Sequence, residues 1–521
     1  MKAIATGVIL VLLWAAHAFA APADPPRLVT DRAGTRLVVD GRPFVVLGGE
    51  LGNSNASNVA IAEPIFAKLA AMKLNTVLVP VSWELVEPVE GKWAFGLIGD
   101  LVRAARRHKL HVVLLWFGSW KNGMSSYVPA WVKADPQRFP RAEVKGGRRV
   151  EALSAFAPAN VQADARAFAE LMRTVRGIDG REHTVLMVQV ENEVAMIDEA
   201  ADRSAAATAA FREPVPKELL DRFPGKKPGR WQEVFGHGAA AEEMFMAWHY
   251  ARYVDTVARA GKAVYPLPML TNAALNRPGK LPGQYPSGGP LPQLFNAWKA
   301  GAPSLDLLAP DIYLPDFVAW CELYRRPGNP LFIPEARNEE SAAVHALYAI
   351  GRGALGFSPF AIELASDAAA AALAKSYGTL ADLAPILAAA GADKTAGALL
   401  DKEQARTLLH FGDLIVGVAH DYTFEWAAPA RLDPVWPRVG GLVVEIAPGE
   451  LIVAGNGLIV TFTSETPGVT VGIERVDEGH VAAGKFVATR RLNGDETHQG
   501  RQVRLPMGAL AVQRVKVYSF K

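Results

Sequence analysis

Phe44-Val45-Val46-Leu47-Gly48 runs into Gly49-Glu50-Leu51-Gly52, and the reading of this first junction decides the fold. An apolar β-branched run followed by glycines is common to two parallel α/β architectures, the closed eightfold barrel and the open doubly wound sheet. The open sheet needs its glycine-rich loop to open a helix, whose N-terminus then receives phosphate. Gly48-Gly49-Glu50-Leu51-Gly52 does not open a helix, which leaves the closed barrel as the economical answer.

Outward from this junction, apolar runs alternate with helical segments, the pattern of βα units rather than of hairpins. Eight strands are expected, at Phe44 to Gly48, Thr76 to Val81, His111 to Phe117, Thr184 to Val190, Val264 to Leu270, Leu305 to Ile312, Pro330 to Ile333 and Ala354 to Phe360. Apolar residues at helical spacing predict helices at Pro64 to Met72, Gly99 to His108, Asp164 to Arg176, Glu242 to Ala260 and Ser341 to Ile350. The expected fold is a (β/α)8 TIM barrel over residues 27–380, entered by a hairpin whose turn is Asp40-Gly41. Asp367 to Leu400 is alanine-rich and reads as a helical bridge. From about Leu409 short apolar runs are broken by Gly412-Asp413, Pro448-Gly449, Gly455-Asn456-Gly457 and Asn493-Gly494-Asp495, which predicts an antiparallel, sandwich-like β domain. Bridge and β domain together take residues 381–521. Two long loops, 200–238 and 272–292, are expected at the barrel face where substrate sites form, although either could equally serve an oligomer contact.

Composition narrows the function. Lys and Arg total 55 against 53 Asp and Glu, a net charge of +2, so no basic excess points to nucleic acid or an anionic membrane. Lys2, the apolar run Val8 to Ala16 and Ala18-Phe19-Ala20 read as a signal peptide over residues 1–20, which predicts a periplasmic or secreted protein with no membrane contact after cleavage. The apolar run is short of the roughly 20 residues of a membrane span. Cys321 is the single cysteine, so no intrachain disulfide is possible and stability must come from core burial.

The motif richest in chemistry is Val188-Gln189-Val190-Glu191-Asn192-Glu193-Val194, an apolar strand that ends in carboxylates at the fourth strand mouth. Strand alternation puts Glu191 and Glu193 on one side until the loop re-aims them. Glu191 is either functional or paired with an arginine in the barrel, and Glu193 either functional or a cap on the next helix. A second carboxylate, Glu335, follows the apolar run Pro330 to Pro334, where an unpaired buried charge would cost several kcal/mol. Arg337 is its candidate structural partner. Two carboxylates facing one cavity are what glycosidic bond cleavage needs, and their separation sets whether the sugar configuration is retained or inverted.

These motifs resemble those of the retaining barrel glycosidases, and their context is similar to glycoside hydrolase family 35, whose bacterial members include some with an appended β domain. Val81-Ser82-Trp83-Glu84-Leu85-Val86-Glu87-Pro88-Val89-Glu90-Gly91 resembles that family's second-strand signature, and Val188 to Val194 its acid/base signature. The resemblance implies a β-galactosidase that removes terminal galactose, with Glu193 as acid/base, Glu335 as nucleophile and Asn192 on the hydroxyl beside the anomeric carbon. Where the family has an Arg-Pro-Gly-Pro-Tyr stretch ending in Ala-Glu, this chain has Leu115-Trp116-Phe117-Gly118-Ser119-Trp120-Lys121-Asn122, with Asn122 the nearest substitute for the sugar-binding carboxylate. Trp83, Trp116 and Trp120 are candidates to stack on sugar faces or to be core. Glu50, Glu87 and Asn122 are candidates for sugar hydroxyls, Glu87 alternatively bracing the loop before Pro88. Tyr313 either holds the nucleophile's carboxylate or is a buried structural tyrosine. No cofactor and no metal is expected: the histidines lack a metalloprotease pair, Gly356 to Phe360 lacks the second glycine of a nucleophile elbow, and Gly391 to Thr395 lacks the glycine before lysine of a phosphate loop. The expected partner is a galactoside oligosaccharide. Arabinopyranosidase or glucosidase activity, or a non-catalytic carbohydrate-binding barrel, are the alternatives.

Overall fold

The computed structural model describes residues 24–32, 34–427 and 430–521, so the expected signal peptide lies outside the described residues. The second barrel strand, Thr76–Ser82, is buried along its whole length. Burial on both faces is the mark of a parallel strand covered on each side, and the two faces belong to different cores. Leu78, Val113, Leu115, Phe117, Leu270, Leu307 and Ala309 pack together inside the barrel. Their alternate neighbours Val77, Val79, Val112, Leu114, Trp116 and Leu308 pack outward in the larger cluster that includes the surrounding helices. Period-two alternation sorts these residues into lumen and helix layers; in β4 it breaks at Leu186 and Met187, which both pack inside, where the register with β3 shifts.

The barrel strands are β1 (Val46–Leu47), β2 (Thr76–Ser82), β3 (His111–Phe117), β4 (Val185–Val190), β5 (Met269–Ala274), β6 (Leu307–Ile312), β7 (Glu335–Ala336) and β8 (Gly356–Phe357). Parallel ladders join β2 through β7 in order, and β8 pairs with β1. The two remaining seams close through single bridges, Glu50 with Leu78 and Ile333 with Phe357. Their hydrogen bonds include Leu78 N to Gly49 O at 2.9 Å and Ser358 N to Ile333 O at 2.9 Å. The barrel is closed, as the first junction predicts. Besides shorter helical segments in the loops, the helices are α1 (Val59–Ala71), α2 (Gly96–Arg107), α3 (Pro158–Asp179), α4 (Ala239–Lys262), α5 (Phe295–Gly301), α6 (Phe317–Tyr324), α7 (Ala342–Gly351) and α8 (Asp367–Ala390).

Three expectations are displaced. The seventh strand is Glu335–Ala336, beyond the expected Pro330 to Ile333, of which only Ile333 makes a bridge, to Phe357. The fifth strand begins at Met269, not Val264, because Pro266 and Pro268 lack the N–H that a central ladder requires. The alanine-rich bridge is helical only to Ala390, and its end, Thr395–Leu400, is a strand. That strand opens two antiparallel sheets. One has six strands in the order 395–400, 439–447, 450–456, 511–520, 470–482, 485–491, and the other has four, 406–411, 414–420, 458–464 and 503–505. Val416, Val418, Val460 and Val503 from the smaller sheet meet Ala398, Val443, Val453 and Val515 from the larger in one core, which makes a sandwich. Its outer face lies directly on α7: a Cβ on Gly397 would stand 2.4 Å from Tyr348 O, so only glycine permits this approach. Leu442, Val444, Ile452 and Ala454 of the sandwich join the barrel's helix core.

The 272–292 loop is tied to the segment that follows β4 and to α4. Met196 and Ser287 exchange backbone hydrogen bonds at 2.9 and 2.8 Å, and the Tyr285 hydroxyl donates to Glu243 Oε2 at 3.1 Å. Among the described residues no helix is long and apolar enough to cross a membrane.

Candidate active site

At the mouth of β4 the chain leaves extended geometry abruptly, with φ 61° at Glu191 and φ 47° at Glu193. Left-handed backbone is costly for residues with a Cβ and persists where the surroundings hold it. Here the hold is visible: Glu193 N donates to Asn272 Oδ1 at 2.9 Å and Asn192 N to Trp120 O at 3.3 Å. The kinks part the two glutamates. Glu191 turns beneath the 118–122 segment, where its Oε2 accepts from Trp120 N at 2.8 Å, while Glu193 turns to the barrel mouth beside Asp311 and Glu335.

Glu193 meets two more carboxyls there. One oxygen from each of Glu193, Asp311 and Glu335 lies within 4.8 Å of the other two. Tyr313 donates its hydroxyl to Glu335 Oε1 at 2.5 Å, and Asn272 Nδ2 donates to Asp311 Oδ2 at 2.7 Å. Glu50, at the β1 mouth, faces the same cluster, and the Lys121 ammonium, 5.4 Å from the Phe117 ring centre, acts on all four carboxyls. Oxygens at this spacing could also touch a common cation, but the positive charge facing them is that of Lys121.

The electrostatics divide the four acids. Burial raises each one. Glu50 and Asp311 are pushed well up, by burial first and then by the Glu335 charge. Glu193 is pushed up to about 7 by burial and then by Glu335, against the opposing pull of Lys121 and a hydrogen bond with Asp311. Glu335 is raised by burial and held down by Lys121 and by Tyr313. Glu335 is thus the acid whose charge the other three feel, and Glu193 keeps its proton to near neutrality.

Residues 54–220 match the glycoside hydrolase 42 family model, described as Beta-galactosidase. This is a different family from family 35, which the sequence motifs resemble. Residues 373–504 match a domain of unknown function (DUF5597). A Xanthomonas manihotis protein named Beta-galactosidase is 31% identical over 192 residues, 35% of this chain, and the match spans only 29% of that relative's length. Among solved structures, the β-galactosidase of Rahnella sp. R3 has a TM-score of 0.48 at 16% identity, covering 66% of this chain and 57% of that one. The β-galactosidase of the psychrophilic Marinomonas ef1 has a TM-score of 0.45 at 13% identity, covering 65% and 60%.

Of the candidates raised by sequence, this cluster at the barrel mouth gathers Glu50, Glu193, Tyr313 and Glu335. The others are placed elsewhere, each for a physical reason. Trp83 and Trp116 lie in the helix layer, fully buried, with their indole N–H groups on Glu87 Oε2 and Asp164 Oδ1, both at 2.8 Å. Glu87 is fully buried and spent on Trp83, Gly91 N and Arg166, so it braces the loop rather than meeting a sugar. Trp120 is fully buried with its edge against Tyr250 and Tyr253. Asn122 closes a turn by accepting from Met124 N, Ser125 N and Ser125 Oγ. Asn192 sits behind the carboxyls, fully buried, its amide joined to Lys121 O, Gln189 and Asn272. Arg337 is exposed and donates to Tyr313 O at 2.8 Å; it forms no ion pair with Glu335.

Asp311, Lys121 and Asn272 are the cavity residues that the motifs did not single out. A sequence signal exists for two of them. Asp311 shares the parity of Leu307 and Ala309, and Asn272 that of Leu270, so polar residues at the mouths of β6 and β5 continue the lumen-facing series. Lys121 lies beyond a strand end, where alternation no longer informs.

Proposed function

We propose that this chain is a retaining exo-glycoside hydrolase that removes terminal β-linked galactose from oligosaccharides or polysaccharide side chains. The observation carrying this reading is the approach of Glu193 and Glu335, with oxygens within 4.8 Å, combined with their unequal hold on protons. Retaining glycosidases keep their carboxyls about 5 to 5.5 Å apart, whereas inverting enzymes leave roughly 6.5 to 9.5 Å for a water. The match to a family described as Beta-galactosidase favours the sugar.

In the first step Glu335 attacks the anomeric carbon, and the bond to the departing oxygen breaks as Glu193 donates its proton there. In the second, Glu193 takes a proton from water, which displaces Glu335 and leaves the sugar in its original configuration. Tyr313 and Lys121 keep Glu335 charged for the attack. Export to the periplasm or medium is part of the proposal and rests on the Lys2 to Ala20 pattern.

The test is a panel of aryl β-glycosides with the product anomer followed by NMR. Release of β-galactose first, with Glu335→Gln inactive but folded, is the expected result. No turnover of any β-glycoside defeats the enzyme reading, preference for an arabinopyranoside or glucoside defeats only the galactose assignment, and an α-product defeats retention.

A further inference from the structure

Beneath the cavity, Glu191 and Asp164 form a second pair of carboxyls that the proposed reaction does not use. Both are fully buried. Among the described residues no lysine, arginine or histidine lies within ion-pair distance of either, so the arginine partner considered for Glu191 is not there. Two carboxylates cannot both stay charged in so dry a site.

Their hydrogen bonds say which one holds the proton. Asp164 is surrounded by donors: Trp116 Nε1 at 2.8 Å on Oδ1, and Ser119 N at 3.1 Å and Ser119 Oγ at 2.6 Å on Oδ2, with the Tyr253 hydroxyl at 3.4 Å. Glu191 Oε2 accepts from Trp120 N, but its Oε1 has no donor at all. That bare oxygen and Asp164 Oδ1 converge on Gly118, where an added Cβ would lie 2.6 and 2.8 Å from them. Any side chain at 118 would enter this junction. Among the described residues Tyr253, from α4, is the other titratable group hydrogen-bonded to the pair, and burial holds its phenol protonated.

We propose that Glu191 is a carboxylic acid whose Oε1 donates its proton to the Asp164 carboxylate, and that this pair positions the 118–122 segment and with it Lys121. Donors from Trp116, Ser119 and Trp120 all end on the pair, and Asn192 fixes Lys121 O one residue further on at 2.8 Å. Burial and the Asp164 charge hold Glu191 protonated; burial raises Asp164 too, but its hydrogen bonds with Glu191, Ser119 and Trp116 all oppose that rise, and Glu191 has the larger one. Both are positioning residues, since neither reaches the cavity.

The assignment predicts an asymmetry between isosteric variants. Glu191→Gln keeps every bond, because the amide oxygen accepts from Trp120 N and the amide nitrogen donates to Asp164. Asp164→Asn cannot, because its amide nitrogen must face either Trp116 Nε1 or the two Ser119 donors. A stability change with pH gives a readout independent of turnover. A carboxyl whose folded pKa is raised gives stability below its free value that is lost as pH rises towards the folded value. Wild type should therefore lose Tm on the alkaline side relative to Glu191→Gln, and the gap should widen with pH. On an aryl galactoside, Glu191→Ala should lose roughly 10- to 100-fold in kcat/KM from unpaired buried groups, with Gln restoring most of it and Asp164→Asn resembling Ala or failing to fold. Parallel Tm profiles, a Gln variant that fails to fold, or Asp164→Asn behaving like Glu191→Gln each overturn the proposal. The Tm comparison stands even if the glycosidase reading, on which the kinetic arm rests, fails.

Discussion

Tyr313 donates its phenolic hydrogen to Glu335 Oε1 at 2.5 Å, while Oε2 of the same carboxyl has no partner among the described residues. One oxygen is pinned and the other left bare, which is the state of a group ready to attack. A hydrogen bond to a charged group is worth about 1.5 to 3 kcal/mol. Tyr313→Phe should therefore lower kcat/KM roughly 10- to 100-fold. Glu335 must be ionised to react, its pKa is already raised by burial, and Tyr313 opposes that rise. Without the hydroxyl the acid limb of the pH profile moves to higher pH, and the alkaline limb stays where Glu193 sets it. A pH series of kcat/KM checks both limbs.

Lys121→Met should act differently, because the ammonium pulls down both Glu335 and Glu193. Its removal lifts the two together, so the whole bell translates to higher pH rather than narrowing. An acid limb that stays fixed in this variant would show that Lys121 does not support the nucleophile.

The closed barrel was legible because its strands are apolar on both faces and its helices keep a regular spacing, features that survive without any knowledge of partners. Both carboxylates at the β4 and β7 mouths were legible for the same reason: a charge ending a buried run has to be explained. What resisted reading was direction. Trp83 and Trp116 look like sugar platforms in sequence, yet they face the helices, Trp116 by its parity with Val112 and Leu114. Glu191 and Glu193 look equivalent until positive φ at both turns one below the loop and one above it. The placement of Lys121 depends on a buried pair drawn from β4 and α3, a long-range contact that no local pattern announces. The sandwich core was visible in its turn signals, whereas its seat on α7 depends on Gly397 meeting a carbonyl from a distant helix.

The wall residues should separate stability from chemistry. Glu87→Ala leaves the Trp83 indole N–H and Gly91 N without their acceptor and Arg166 with only the longer 4.0 Å contact to Glu90. Each unsatisfied buried group costs about 1 to 3 kcal/mol, so Tm should fall clearly. KM for an aryl galactoside should be nearly unchanged in the folded fraction, because Glu87 is sealed from the cavity. A selective rise in KM at constant Tm would return Glu87 to the sugar site.

Glu193 gives the sharpest test, since its pKa of about 7 falls within the range where enzymes are assayed. As the proton donor it must be protonated for the first step, so turnover of substrates with poor leaving groups should decline as pH rises through about 7. Glu193→Ala should lose roughly 10²- to 10⁴-fold on those substrates, far less on activated aryl galactosides, and the alkaline limb should vanish from what remains. With the side chain gone, azide can take the place of water at the covalent intermediate without needing a base, so it should accelerate the variant and yield a β-galactosyl azide. Stability follows the opposite logic from catalysis. The folded pKa stands above the ordinary 4.5, so the stability that the protonated group contributes is complete below about 4.5 and is lost as pH rises through about 7. Glu193→Gln should accordingly gain Tm over wild type across that window while losing activity. Equal loss on every leaving group, with no azide product and no Tm crossover, would remove Glu193 from the acid/base role.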